Sequence, residues 1–249
     1  MYVSLVVIGV LLIAAASREL LTTEREYAAA REEYEELQEI FEPVKSAMSA
    51  YLFSVSQSAS SEGTELPEPV FPGEEHPDPL AALFEINSDF IGWISIGDVI
   101  NYPVVRGSDN ERYLDTTFTG QHNSAGTVFM DHRNEHGFDS HVCILYGHNM
   151  KDKSMFTRLH EYRDRAFMAE NPDIIIVTLD GEVLVYRVFA YRFTNGLNRA
   201  YKLDYPDGAA AARAFPNSPE GANRFLVLST CTNSSYEDER FLIYAALVT

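Results

Sequence analysis

The chain has 249 residues, 46% hydrophobic and 12% aromatic, enough for one sizeable core with appendages. Its formal net charge is −18; no basic stripe with interleaved aromatics is visible, which excludes nucleic acid as a partner because phosphates demand a basic footprint. The acidity is uneven: residues 17–85 hold 16 Asp/Glu against 4 Lys/Arg, and residues 86–249 hold 21 against 15.

In chain order, residues 1–17 read first as a membrane anchor, because Tyr2 to Ala16 carry no charge. A helix of that length reaches only about 22 Å, short of a hydrocarbon core of roughly 30 Å. The ending Ala14-Ala15-Ala16 also resembles a signal-peptidase site. A helix that continues without a break favours an uncleaved anchor. Residues 18–53 read as an amphipathic helix, with Tyr27, Ala30, Tyr34, Leu37, Phe41, Val44 and Met48 on one seam. Such a helix is either a stalk or coiled-coil contact, or it packs on its own domain; Pro43 is expected to kink or break it. Residues 54–79, rich in Ser, Glu and Pro, read as a linker. The folded domain is then 80–249.

That domain is written in short β-rich runs: 91–96, 102–105, 127–130, 142–146, 174–179, 183–193, 225–230 and 241–248. Eight strands with few helices predict a mainly β barrel or sandwich. Helices are expected at 79–87, around 153–171 and around 207–215. No Gly-rich phosphate loop follows a strand, so nucleotide binding has no support.

Of the two cysteines, Cys143 sits inside an apolar strand and reads as a small core hydrophobe. Cys231 follows a strand and opens the polar stretch Thr232-Asn233-Ser234-Ser235, so it is the candidate nucleophile. His148 stands at a strand terminus on a glycine turn and is the candidate base. Arg240 begins the last strand. A hairpin would return it beside Cys231, where a permanent cation can stabilise a thiolate or an oxyanion. Asp131, His132, His136 and His141 lie close together, but His132 and His136 fall in a loop where i, i+4 spacing has no geometric force, so no metal site and no cofactor are expected.

The phrases around these residues, NSDFIGWI (87–94), YPVVRGSDNERYL (102–114), GTVFMDHRN (126–134), YGHNM (146–150) and LSTC (228–231) closed by Arg240-Phe241, resemble class B sortases over roughly 80–249. The resemblance implies an eight-stranded β-barrel with added helices. It also implies a single-pass membrane protein whose catalytic domain lies on the extracellular face of a Gram-positive cell. The implied reaction is transpeptidation. Cys231 attacks a threonine carbonyl in a sorting motif near the C-terminus of a secreted protein. An amine of a peptidoglycan precursor, or a pilin lysine, then resolves the thioacyl-enzyme. His148 would carry protons and Arg240 would hold the carbonyl oxygen. Asn110, Leu114, Ser229 and Thr230 are the implied substrate contacts, with Tyr201 and Tyr205 possible contacts in the segment implied to set specificity. Two alternatives stay open from the residues alone: a surface endopeptidase with water as acceptor, and a non-catalytic surface stalk.

Overall fold

The computed structural model describes residues 2–58, 78–195, 201–215, 217–232 and 239–248. The centre of the structure is a closed barrel of eight strands: β1 (Phe90–Ile96), β2 (Ile100–Val105), β3 (Val128–Met130), β4 (Val142–Tyr146), β5 (Asp173–Thr178), β6 (Val183–Asn195), β7 (Phe225–Cys231) and β8 (Glu239–Leu247). Around the barrel they run β1-β2-β3-β4-β7-β8-β6-β5 and close back on β1. The pairs β2–β3 and β4–β7 are parallel and the rest antiparallel. Every predicted strand is present, with ends shifted by at most two residues.

Two layers explain why β4, β7 and β8 read as almost continuous apolar runs. Side chains alternate faces along a strand. Cys143, Leu145, Leu226, Leu228, Phe241, Ile243 and Ala245 belong to the main core. The alternate residues Val142, Ile144, Phe225, Val227, Leu242, Tyr244 and Ala246 form a second cluster with Ala211 and Phe215. These last two belong to α4 (Gly208–Ala212) and the turn after it. Strands covered on both faces lose the apolar/polar alternation.

The N-terminal helix departs from three expectations. It is one continuous element, α1 (Tyr2–Ser58), with Pro43 inside it; the proline costs a backbone hydrogen bond, yet its neighbours Phe41 and Val44 are fully buried, and packing outweighs the break. Nor does the helix stand away as a stalk. Ala30, Tyr34, Leu37, Phe41, Val44 and Met48 are buried in the barrel's own core, with Phe41 stacked on Trp93 at 4.3 Å and 5°. Third, α1 takes in residues 54–58 of the expected linker. Of the rest of that linker, residues 59–77 lie outside the described residues, and Asp78 already caps α2 (Pro79–Ile86) by accepting from the Leu80 N–H at 2.9 Å. Among the described residues no helix is long and apolar enough to cross a membrane. The described apolar side chains of the opening run, Val7, Ile8, Leu11, Leu12 and Ile13, are exposed on α1.

The other expected helical stretches are shorter and tighter. Around 153–171 the chain forms a 3₁₀ helix, Thr157–Arg163, followed by α3 (Arg165–Glu170), which Asp164 caps.

Candidate active site

Strand register assembles the candidate site. Leu226 and Leu228 point into the core and Phe225 and Val227 outward, so Ser229 and Cys231 continue the outward row and Thr230 the inward one. Across the β7–β8 ladder Cys231 is paired with Arg240, which belongs to the same outward row as Leu242 and Tyr244. On the other side β4 runs parallel to β7 with Tyr146 opposite Ser229. β4 ends there, and Gly147 and His148 turn over the end of β7. The close turn needs a glycine: a Cβ on Gly147 would lie 2.6 Å from the Phe156 ring.

The three groups predicted from sequence therefore meet. Asn110, Leu114, Phe129, Tyr146, Gly147, His148, Ser229, Thr230, Cys231 and Arg240 line one cleft of about 280 Å³. The Cys231 thiol is unpaired and exposed at its edge, whereas Cys143 is buried. Burial pushes the Cys143 thiol up to about 12, which keeps it protonated and inert. The His148 Nε2 lies 2.6 Å from the Leu114 carbonyl oxygen; a carbonyl only accepts, so that nitrogen carries hydrogen.

The four expected substrate contacts all border the cleft but differ in what their side chains do. The Asn110 side-chain oxygen accepts from the His132 N–H at 2.9 Å, pinning the loop before β3 to the one after it. Leu114 is 44% exposed and offers an apolar wall. Ser229 Oγ is 2.9 Å from the Tyr201 hydroxyl. Thr230 is buried, and its hydroxyl has no partner among the described residues. Tyr201 also lies parallel to Tyr146, at 6.2 Å and 9°, so the segment after β6 leans on the cleft. Tyr205 packs on the second cluster beside α4.

Beneath this wall, the fully buried Asp131 carboxylate accepts from Arg133 Nε and Nη2 at 2.9 and 2.6 Å and from the Tyr146 hydroxyl at 2.8 Å. Burial alone would raise this carboxyl, but the hydrogen bonds from the Arg133 side chain and backbone and from Tyr146 outweigh it and hold it at about 2. Arg133 Nη2 also donates to the Tyr201 carbonyl at 3.3 Å, fastening the segment after β6 to the barrel. The neighbouring histidines do not converge: His132 lies 3.8 Å from Asp131 and His141 touches the Asn223 carbonyl at 3.2 Å. No group of three metal-ligating side chains occurs among the described residues.

Two residues at the site were not singled out from sequence. Asn149 Nδ2 donates to the Cys231 carbonyl at 3.1 Å, and His160 Nε2 lies 3.0 Å from the same oxygen. Asn149 was legible only as the neighbour of His148. His160 is eleven residues further on, in a polar 3₁₀ turn with no periodicity to mark it.

Comparison with known proteins agrees with this geometry. The Sortase domain family model matches residues 95–248. Sortase B of Listeria monocytogenes is 33% identical over 184 residues, covering 69% of this chain and 75% of that protein. Sortase B of Staphylococcus aureus is 30% identical over 190 residues, covering 70% and 77%. The structure of a Staphylococcus aureus sortase B–substrate complex superposes with a TM-score of 0.67 at 26% identity, covering 90% of this chain and 99% of that one.

Proposed function

The chain belongs to the sortase family and is a sortase-type cysteine transpeptidase of class B, and from that premise we propose that Cys231 is its nucleophile, with His148 and Arg240 as its proton carrier and cation. The observation that carries this reading is the pairing of Cys231 with Arg240 in a cleft that His148 also lines.

In the proposed reaction the Cys231 thiolate attacks a threonine carbonyl carbon of a sorting motif. The electron pair moves to the oxygen, where the Arg240 guanidinium offsets the developing charge. As the C–N bond breaks, imidazolium His148 gives its proton to the departing amine, leaving a thioester on Cys231. An incoming amine attacks that thioester, loses its proton to His148, and Cys231 leaves as a thiolate. With Nε2 hydrogen-bonded to Leu114, Nδ1 is the nitrogen through which this exchange runs. Asn110, Leu114, Ser229 and Thr230 form the motif-binding wall: Leu114 by apolar contact, Ser229 through its hydroxyl, and Asn110 and Thr230 chiefly by shaping the surface.

The substrates on this reading are secreted proteins bearing a sorting motif, and the acceptor is an amine of a peptidoglycan precursor or a pilin lysine. That a Staphylococcus aureus sortase B has been solved as a substrate complex supports a substrate-binding reading for this chain. On the same reading the chain lies on the extracellular face of the cell membrane, held by the N-terminal segment; the exposed Val7, Ile8, Leu11, Leu12 and Ile13 support the membrane contact.

The test is intact-mass spectrometry of the full chain with a library of peptides carrying threonine before the scissile bond, with and without amine acceptors. A thioacyl adduct and a ligated product are expected, with Cys231→Ala giving neither. Arg240→Gln should lower turnover by about 10²–10³-fold, the range for removing one oxyanion donor. Hydrolysed product alone, unchanged by any amine, would replace transpeptidation with proteolysis. Equal behaviour of wild type and Cys231→Ala would end the assignment of the nucleophile.

A further inference from the structure

The last residue of β7 lies beyond the reach of its parallel neighbour. The Ser229 carbonyl accepts from the Gly147 N–H at 3.2 Å, the final rung toward β4. Carbonyls two residues apart on a strand point the same way, so the Cys231 carbonyl also faces the β4 side, where β4 has already turned away. A strand carbonyl without a donor loses its hold on the ladder. Here side chains take the place of the missing rung: Asn149 Nδ2 at 3.1 Å and His160 Nε2 at 3.0 Å.

His160 is itself held from two directions. Its ring stacks on Phe241 at 4.7 Å and 26°, and Phe241 is fully buried and follows Arg240. Arg163 Nε donates to the His160 carbonyl at 2.9 Å, closing the turn that carries the ring. One side chain thus touches the backbone of Cys231 and the residue beside Arg240, on opposite strands of the same pair.

We infer that His160 is a positioning residue for the reaction at Cys231: its imidazole shares with Asn149 the bond to the Cys231 carbonyl that β4 does not supply, and, through its stack on Phe241, fixes the nucleophile's strand end in register with Arg240. This rests on the proposed role of Cys231, and it is a statement about the hydrogen bond and not merely about ring packing. His160→Phe keeps the stack on Phe241 and removes the donor. His160→Gln keeps a donor of similar reach and removes the ring.

The experiment uses the full chain with two readouts, after equal thermal unfolding curves have shown that the variants fold. One is the rate of Cys231 alkylation by iodoacetamide, followed by intact mass; the other is kcat and KM for the peptide that the library assay selects. For His160→Phe a fall of about tenfold in kcat at unchanged KM is expected, since one hydrogen bond is worth about 0.5–1.5 kcal/mol. Its alkylation should slow by about threefold or more, because a loosened strand end moves the thiol away from the Arg240 cation. His160→Gln should stay within about threefold of wild type in both. The inference is overturned if His160→Phe matches or exceeds wild type in both, if the two variants are equally impaired, or if only KM moves. Should His160→Phe fail to fold, His160→Met serves as the donorless variant. If no peptide acylates the wild type, the proposed function fails, and the alkylation rates still decide the role of His160.

Discussion

Replacing Phe41 by alanine separates a helix that belongs to the barrel's core from one that merely precedes it. Phe41 is fully buried and stacked on Trp93, which is also fully buried. Truncating a buried phenylalanine costs about 3–5 kcal/mol through lost transfer energy and the cavity left behind, and loss of the ring pair places the change in the upper part of that range. For a chain of this size each kcal/mol moves the midpoint by about 2–4 °C, so a loss of about 4–5 kcal/mol lowers Tm by about 8–20 °C. The assay is thermal unfolding of the full chain by circular dichroism at the far- and near-ultraviolet bands. Glu36→Ala, exposed on the same helix, is the control and should shift Tm by no more than about 2 °C, since surface changes are usually within about 0.5 kcal/mol. If Phe41→Ala behaves like that control, the seam is not part of the core and the packing described for α1 is wrong.

The two thiols should differ in native alkylation. At pH 8 one adduct is expected, on Cys231, with Cys143 labelled only in denaturant; peptide mapping that finds Cys143 modified in the folded chain would contradict its raised pKa. Asp131 should confer a stability that depends on acid. Its folded pKa of about 2 lies below the ordinary 3.8, so the stabilisation is fully present above the unfolded value and is lost as pH falls from 3.8 through 2. Asp131→Asn should cost about 1–3 kcal/mol at pH 7, a figure held down by the half-exposed Arg133 partner, and should converge with wild type near pH 2 in urea unfolding series. Gly126 has φ +57°, and a Cβ there would collide with the Tyr113 oxygen and lie 2.8 Å from the Leu114 oxygen. Gly126→Ala should therefore displace the carbonyl that bonds His148, with strain of about 1–3 kcal/mol, read as a lowered Tm together with slower acylation; an unaltered acylation rate would break that link.

The barrel was legible because its strands carry both halves of a strong signal: dense apolar residues within each run and turn residues between runs. β4 matches residue for residue, since both its faces are covered and Ser140-His141 and Gly147-His148 bound the apolar run sharply. Cys231 and Arg240 could be paired from a single hairpin argument, which the β7–β8 register reproduces. What could not be read was where the α1 seam would dock. Its heptad-like spacing is the same whether it meets another helix or a barrel, and only Trp93 and the other core residues across the interface decide the matter. Pro43 misled for a related reason, as local propensity was overruled by burial on both sides of it. His160 was invisible because its contact is with a backbone oxygen 71 residues away, and a backbone acceptor leaves no mark in sequence.

The parallel pairing of β4 with β7 has a consequence in time. Residues 142–146 meet residues 225–229, so the rungs that bring His148 over Cys231 form only after a long loop has closed, and such non-local pairings are slow to establish. Until then Cys231 has neither Arg240 paired with it nor Asn149 and His160 on its carbonyl. On the proposed role of Cys231, a chain still searching for its fold carries a dormant nucleophile, and barrel closure itself becomes the step that arms it.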